Sequence, residues 1–129
     1  LMIAVLNEQA KSISVEYQLS EGHLESHVSL IAGYAGNGQD TDMDAFLIQP
    51  HGKKANLIMW RHKGASWEPD TSVTVGNVPL AGDFSIEVNT GGCDVKIDGV
   101  TVLHDINLQP RQNADKLGIR AIASLVRPS

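Results

Sequence analysis

The chain is poor in cysteine, in aromatic residues and in clustered positive charge. Its 129 residues include one cysteine and 5% aromatics, and 10 Lys and Arg face 15 Asp and Glu for a net charge of −5. A lone Cys93 cannot close an internal disulfide, which excludes a disulfide-stapled scaffold and says little about redox compartment. The basic residues are scattered, with Lys53-Lys54 the longest run. Affinity for a polyanion comes from clustered Lys and Arg releasing counterions, so a nucleic-acid binder is excluded. Long apolar runs are missing too: Leu1 to Leu6 is far shorter than the roughly 20 residues that cross a bilayer. That opening also lacks the basic start and the cleavage site of a signal peptide. No window places apolar residues at i, i+3, i+4 and i+7 between helix caps, so little helix is expected. A single domain over residues 1–129 is expected, burying roughly two-thirds of its unfolded surface. The start at Leu1-Met2 fits a cloning remnant or a domain excised from a larger protein, and both stay open.

What the chain has is a period of two. Ile13, Val15, Tyr17 and Leu19 alternate with Ser12, Ser14, Glu16 and Gln18, the pattern of a strand with one dry face. Phe84, Ile86 and Val88 repeat it, as do Val95 and Ile97, Val100 and Val102, and Leu117, Ile119 and Ala121 ahead of the closing run Ile122 to Val126. Turn signals separate these runs at Ser20-Glu21-Gly22, Gly33 to Gly38, Pro50-His51-Gly52, Lys63-Gly64, Gly82-Asp83, Asn89 to Gly92 and Asp98-Gly99. The last is the sharpest, because a type I′ turn needs positive φ at both central positions and Asp-Gly supplies it. Many short strands between regular turns predict an all-β, antiparallel two-sheet sandwich or a barrel.

Several constellations suggest chemistry and stop short of it. Asp40, Asp42 and Asp44 alternate like calcium ligands, but Ala45 stands where the loop needs glycine and His51 where it needs a bidentate Glu. His23, Glu25 and His27 scramble the order of a zinc protease helix. Gly33 to Gly38 could cradle a phosphate only if a helix followed. Cys93 beside Asp94 reads as structural, since a negative neighbour raises a thiol pKa. His104-Asp105 could orient a base, but no nucleophile can be set against it. Glu68 and Asp70 share one face of an extended segment, a spacing that suits a rim better than a glycosidase pair. No metal and no cofactor is expected.

The segment Ala45 to Val75 says most. Leu47, Gln49 and His51 fall on one face by the period of two, a strand Leu57 to Arg61 follows, and Gly64 to Thr71 sets Trp67 in a turn among carboxylates. A tryptophan so placed either stacks on the apolar face of a sugar or caps the sandwich end.

In this order of elements the chain resembles the galectins, over most of its length. Lys11 to Val15 and His27 to Ile31 resemble early strands of that family. Ala45 to His51 resembles the strand bearing its His-x-Asn-Pro-Arg motif, and Gly64 to Asp70 its Gly-x-x-Trp-x-x-Glu segment. Asp83 to Val88 resembles the strand after that, and Leu117 to Val126 the closing strand. The resemblance implies a galectin-like jelly roll. It also implies a binding site at Leu47, Gln49, Pro50 and His51 in the first motif, at Trp60 or Arg61 for the second-strand Asn, and at Trp67, Asp70 and Ser72 in the last. Trp67 and Pro50 match the pattern unchanged. Both arginines and the histidine are replaced, and each lost charged hydrogen bond is worth roughly 1.5–3 kcal/mol.

Two expectations follow. The first is a non-enzymatic galectin-like module without the usual galactoside signature, which recognises a protein partner in an adhesive, secreted complex. The alternative is a lectin with a rearranged sugar site. Neither nucleic acid nor membrane insertion is expected, and an extracellular setting is favoured over a cytoplasmic one.

Overall fold

A computed structural model describes residues 2–5, 11–21, 25–34, 43–63, 66–89, 92–108, 116–122 and 124–128. Among the described residues eleven strands follow in the order β1 (Met2–Val5), β2 (Ser12–Leu19), β3 (His27–Tyr34), β4 (Asp44–His51), β5 (Lys54–Lys63), β6 (Ser66–Val78), β7 (Ala81–Asn89), β8 (Gly92–Ile97), β9 (Val100–Asn107), β10 (Lys116–Ile122) and β11 (Ser124–Pro128). They form a six-stranded sheet, β1-β10-β3-β4-β5-β6, and a five-stranded sheet, β11-β2-β7-β8-β9. Every pairing is antiparallel. The expected all-β two-sheet sandwich is what the chain forms.

The core follows directly from the alternation. Ile13, Val15, Tyr17 and Leu19 of β2, Phe84 and Ile86 of β7, and Val95 and Ile97 of β8 point inward from the five-stranded sheet. They meet Val28 and Leu30 of β3, Phe46 and Ile48 of β4, Leu57 and Met59 of β5, and Leu117 and Ile119 of β10. Each fully buried side chain of this kind contributes about 1.5–3 kcal/mol. The Tyr17 hydroxyl stays satisfied by donating to the Pro79 carbonyl at 2.6 Å. Cys93 belongs to the same core, as its structural reading expected.

The Asp98-Gly99 turn also forms as expected: φ is +51° at Asp98 and +79° at Gly99, and Ile97 pairs with Val100 across it. Other turn signals are corrected. Gly82-Asp83 lies inside β7, because Gly82 pairs with Tyr17 and Asp83 with Glu16. Pro50 and His51 remain in β4, and the chain reverses at Gly52, whose φ is +62°. Gly33 and Lys63 are strand residues, while Gly22, residues 35–38, Gly64, Thr90 and Gly91 lie outside the described residues. The run Leu117 to Val126 is two strands rather than one: β10 ends at Ile122 in the six-stranded sheet, and β11 starts at Ser124 in the other.

Candidate functional site

Register decides which side chains share the outer face of the six-stranded sheet. Because Phe46, Ile48, Leu57 and Met59 face the core, their neighbours Ala45, Leu47, Gln49, Ile58 and Trp60 face outward. Ala45 pairs with Trp60, Leu47 with Ile58, and Gln49 with Asn56. Trp60 in turn pairs with Pro69, which sets Trp67 of β6 on the same side. Sequence reasoning could not choose between Trp60 and Arg61; the structure puts Trp60 on this face and Arg61 on the other.

Trp67 sits in strand β6, not in a turn. Its ring stacks on that of Trp60, with centroids 6.2 Å apart and an interplanar angle of 20°. It also packs, partly buried, on a second small cluster of Ile31, Tyr34, Met43 and Ala45. The Trp60 indole Nε1 is buried with no acceptor among the described residues.

Arg61 points into the end of the sandwich and ties the two sheets together. Its Nε donates to Asp70 Oδ2 at 2.9 Å and its Nη1 to the Asn107 carbonyl of β9 at 2.9 Å. Nη1 also lies 4.0 Å from Asp44 Oδ2, a carboxylate with no exposed side-chain surface. Asp70 Oδ1 accepts from the Ser72 hydroxyl at 2.5 Å and the Ser72 amide at 3.2 Å. The hydroxyl bond from Ser72 and then the Arg61 guanidinium hold the Asp70 carboxyl below its ordinary pKa. Asp70 and Ser72 therefore belong with Arg61 in a structural clasp. That clasp stands beside a register shift between Ile58 and Met59, across which Ile58 pairs with Thr74 and Met59 with Asp70.

The nine candidates thus divide by position, with Pro50 on the inward parity of β4 opposite Ala55. Leu47, Gln49, Trp60 and Trp67 share the outer face, and Arg61, Asp70 and Ser72 form the clasp. His51 is exposed at the hairpin end of β4, opposite Lys54. Missing from the candidates were Asn56 and Ile58, which the period of two from Trp60 would have supplied. Also missing were Ser29 and Arg120, which only the pairing of β10 with β3 and of β3 with β4 brings there. His27, one residue beyond the core-facing Val28 to Ile48 pair, has the outward parity of this face. Burial lowers its pKa, Arg120 adds to that, and a backbone bond at Glu25 opposes it.

The remaining motifs are placed as follows. Asp44 is turned toward Arg61, while Asp40, Asp42 and His23 lie outside the described residues. His104 Nδ1 is 2.9 Å from Asp94 Oδ1, which also accepts from the Asp105 amide at 2.7 Å. The imidazole's carboxylate partner is therefore Asp94 across the hairpin rather than its neighbour Asp105. Burial first, and Asp94 second, push the Cys93 thiol pKa up to about 12.

No protein-family model and no curated protein matches the chain by sequence. Solved structures do match. A tetrameric galectin from the ball sponge Cinachyrella aligns over 99% of this chain and 96% of its own, with TM-score 0.64 and 12% identity. Sheep galectin-11 in complex with glycerol aligns over 98% and 96%, with TM-score 0.57 and 12% identity. The carbohydrate-binding module CBM66 of Bacillus subtilis aligns over 91% of this chain and 70% of its own, with TM-score 0.62 and 7% identity. At these identities the likeness is one of fold, and the class is that of the antiparallel two-sheet β-sandwiches. Within it, the near full-length superposition on galectins makes this chain a galectin-like domain in fold.

Proposed function

We propose that this galectin-like domain is a non-enzymatic binding module that takes a protein partner on the outer face of the six-stranded sheet and does not bind β-galactosides in the family's usual manner. The observation that carries the proposal is the placement of Trp60 and Arg61. An indole occupies the face and covers one side of Trp67, while the guanidinium that could fork to a sugar hydroxyl is spent between the sheets. Leu47 and Ile58 continue the apolar surface beside that pair, and an apolar stripe suits protein side chains better than hydroxyl groups. Catalysis is not part of the reading, because the Asp70 carboxylate is committed to Arg61 and Ser72. The proposal includes an extracellular setting within an adhesive complex, which secretion of the parent protein by its source cells tests.

A rearranged lectin site is the second reading. Gln49 and Asn56 face each other across β4 and β5 and keep amide groups on the same face as the indoles, beyond Leu47 and Ile58, and the similar structures include galectins and a carbohydrate-binding module. A glycan array decides between them. The expected result is no lactose-inhibitable binding. Binding that lactose competes away and Trp67→Ala abolishes would establish the lectin instead.

A further inference from the structure

Charge is partitioned between the two outer faces against the balance of the whole chain. Acidic residues outnumber basic ones by 15 to 10. Yet among the described residues, the acidic and basic side chains at outward positions of the six-stranded sheet are His27, Lys116, Arg120, His51 and Lys54, with no carboxylate. Glu68 and Asp70 of β6 and Asp44 of β4 occupy the opposite parity, in register with Arg61, Met59 and Ala32. The other sheet carries the acid. Glu16 stands opposite Asp83, and Glu87 opposite Asp94, although like charges directly opposed are destabilising.

Register also gives the face a layout. Arg120, Ser29, Leu47, Ile58 and Thr74 stand opposite one another in turn across β10, β3, β4, β5 and β6. At a strand spacing of about 4.8 Å this row spans roughly 19 Å, the length of an extended peptide of about six residues. A cation lies at one end and an apolar pair in the middle. Gln49 and Asn56 flank that pair on one side, and Trp60 with Pro69 on the other.

We infer that the partner segment this face takes is an acidic extended peptide, with an apolar side chain on Leu47 and Ile58 and a carboxylate toward Arg120. The inference rests on the proposed reading of this face as the binding surface. Charge complementarity selects the acidic segment, and the apolar centre selects a peptide over a uniformly polar anionic glycan.

The test is amide and indole chemical-shift mapping on the full chain with separate probes. These are a leucine-centred peptide flanked by Asp and Glu, the same peptide with Lys in place of the acids, a heparin-derived oligosaccharide, and lactose. The acidic peptide is expected to move Ser29, Leu47, Gln49, Ile58 and Trp60. Its Kd should rise several-fold when the Debye length is shortened from about 10 Å toward 3 Å by salt, and by about fivefold in Arg120→Gln or in the exposed-site variant Lys54→Glu. Equal or tighter binding of the Lys peptide overturns the inference. So do shifts confined to the five-stranded sheet around Ser85 and Lys96, or no shift with either peptide. Heparin oligosaccharide moving the face while the acidic peptide does not overturns the peptide assignment but keeps the face. Lactose moving it overturns the underlying reading.

Discussion

The indole rings of Trp60 and Trp67 lie stacked, 6.2 Å between centroids and 20° from parallel. One side of Trp67 is thereby occupied by protein, and the rest of the ring rests against Ile31, Tyr34, Met43 and Ala45. Trp67 thus holds the end of the sheet together in addition to presenting an edge to solvent. Trp67→Ala should cost about 2–3 kcal/mol, below the range for a wholly buried tryptophan because this ring is only partly buried. Urea unfolding followed by the fluorescence of Trp60 measures it. A loss under about 0.5 kcal/mol would mark the ring as a free platform.

The clasp of Arg61 on Asp70 predicts an acid-sensitive stability. The folded state holds the Asp70 pKa below the ordinary carboxylate value near 3.8. Its contribution is complete above the unfolded pKa and is lost as pH falls through the folded one. Asp70→Asn should therefore destabilise the domain by about 1–2 kcal/mol at pH 7, a charged hydrogen bond discounted for partial exposure. The difference from wild type should shrink once pH falls below the folded pKa. Thermal melts of both proteins from pH 7 down to pH 2 check this, and a gap that stays constant contradicts it.

Gly82 and Asp98 are predicted to be coupled. A Cβ at Gly82 would stand 2.5 Å from Asp98 Oδ1, and that oxygen is fixed by accepting the Asp83 amide at 2.8 Å. Relieving the clash means giving up that bond, so Gly82→Ala should cost about 1–3 kcal/mol. In an Asp98→Gly background, which keeps the positive φ accessible and removes the carboxylate, the same change should cost less than half as much. A double-mutant cycle by denaturant unfolding measures the coupling.

Cys93 should be inert while the protein is folded. It is fully buried and its pKa is pushed up to about 12, so the thiolate that reacts with disulfide reagents is scarce at pH 8. Labelling by a chromogenic disulfide should follow the unfolding curve in urea. Rapid labelling in buffer alone would show that the β8 core position is open.

Much of the architecture was legible because the signals are local. The alternation in Ile13 to Leu19 fixes which face of β2 is dry, and Asp98-Gly99 specifies its own turn. The side of the sheet that Trp60 faces was not legible, because a one-residue change in alignment moves a strand residue to the opposite face. Only the cross-strand pairs of Phe46 with Met59 and of Ala45 with Trp60 settle it. Gly82-Asp83 misled for a different reason: its glycine serves the close approach of Asp98, not a turn. The clasp was hidden as well, since Asn107 reaches Arg61 from a distant part of the chain in the other sheet. Arg120 joins the outer face only through its register with Ser29.

The indole resonances of the two tryptophans report most directly on whether this face binds galactosides. In a lactose titration of the isotope-labelled chain to high millimolar concentration, the signals of Trp60 and Trp67 and the amides of Leu47, Gln49 and Ile58 should not move. Saturable shifts of those same resonances, lost in Trp67→Ala, would contradict the account.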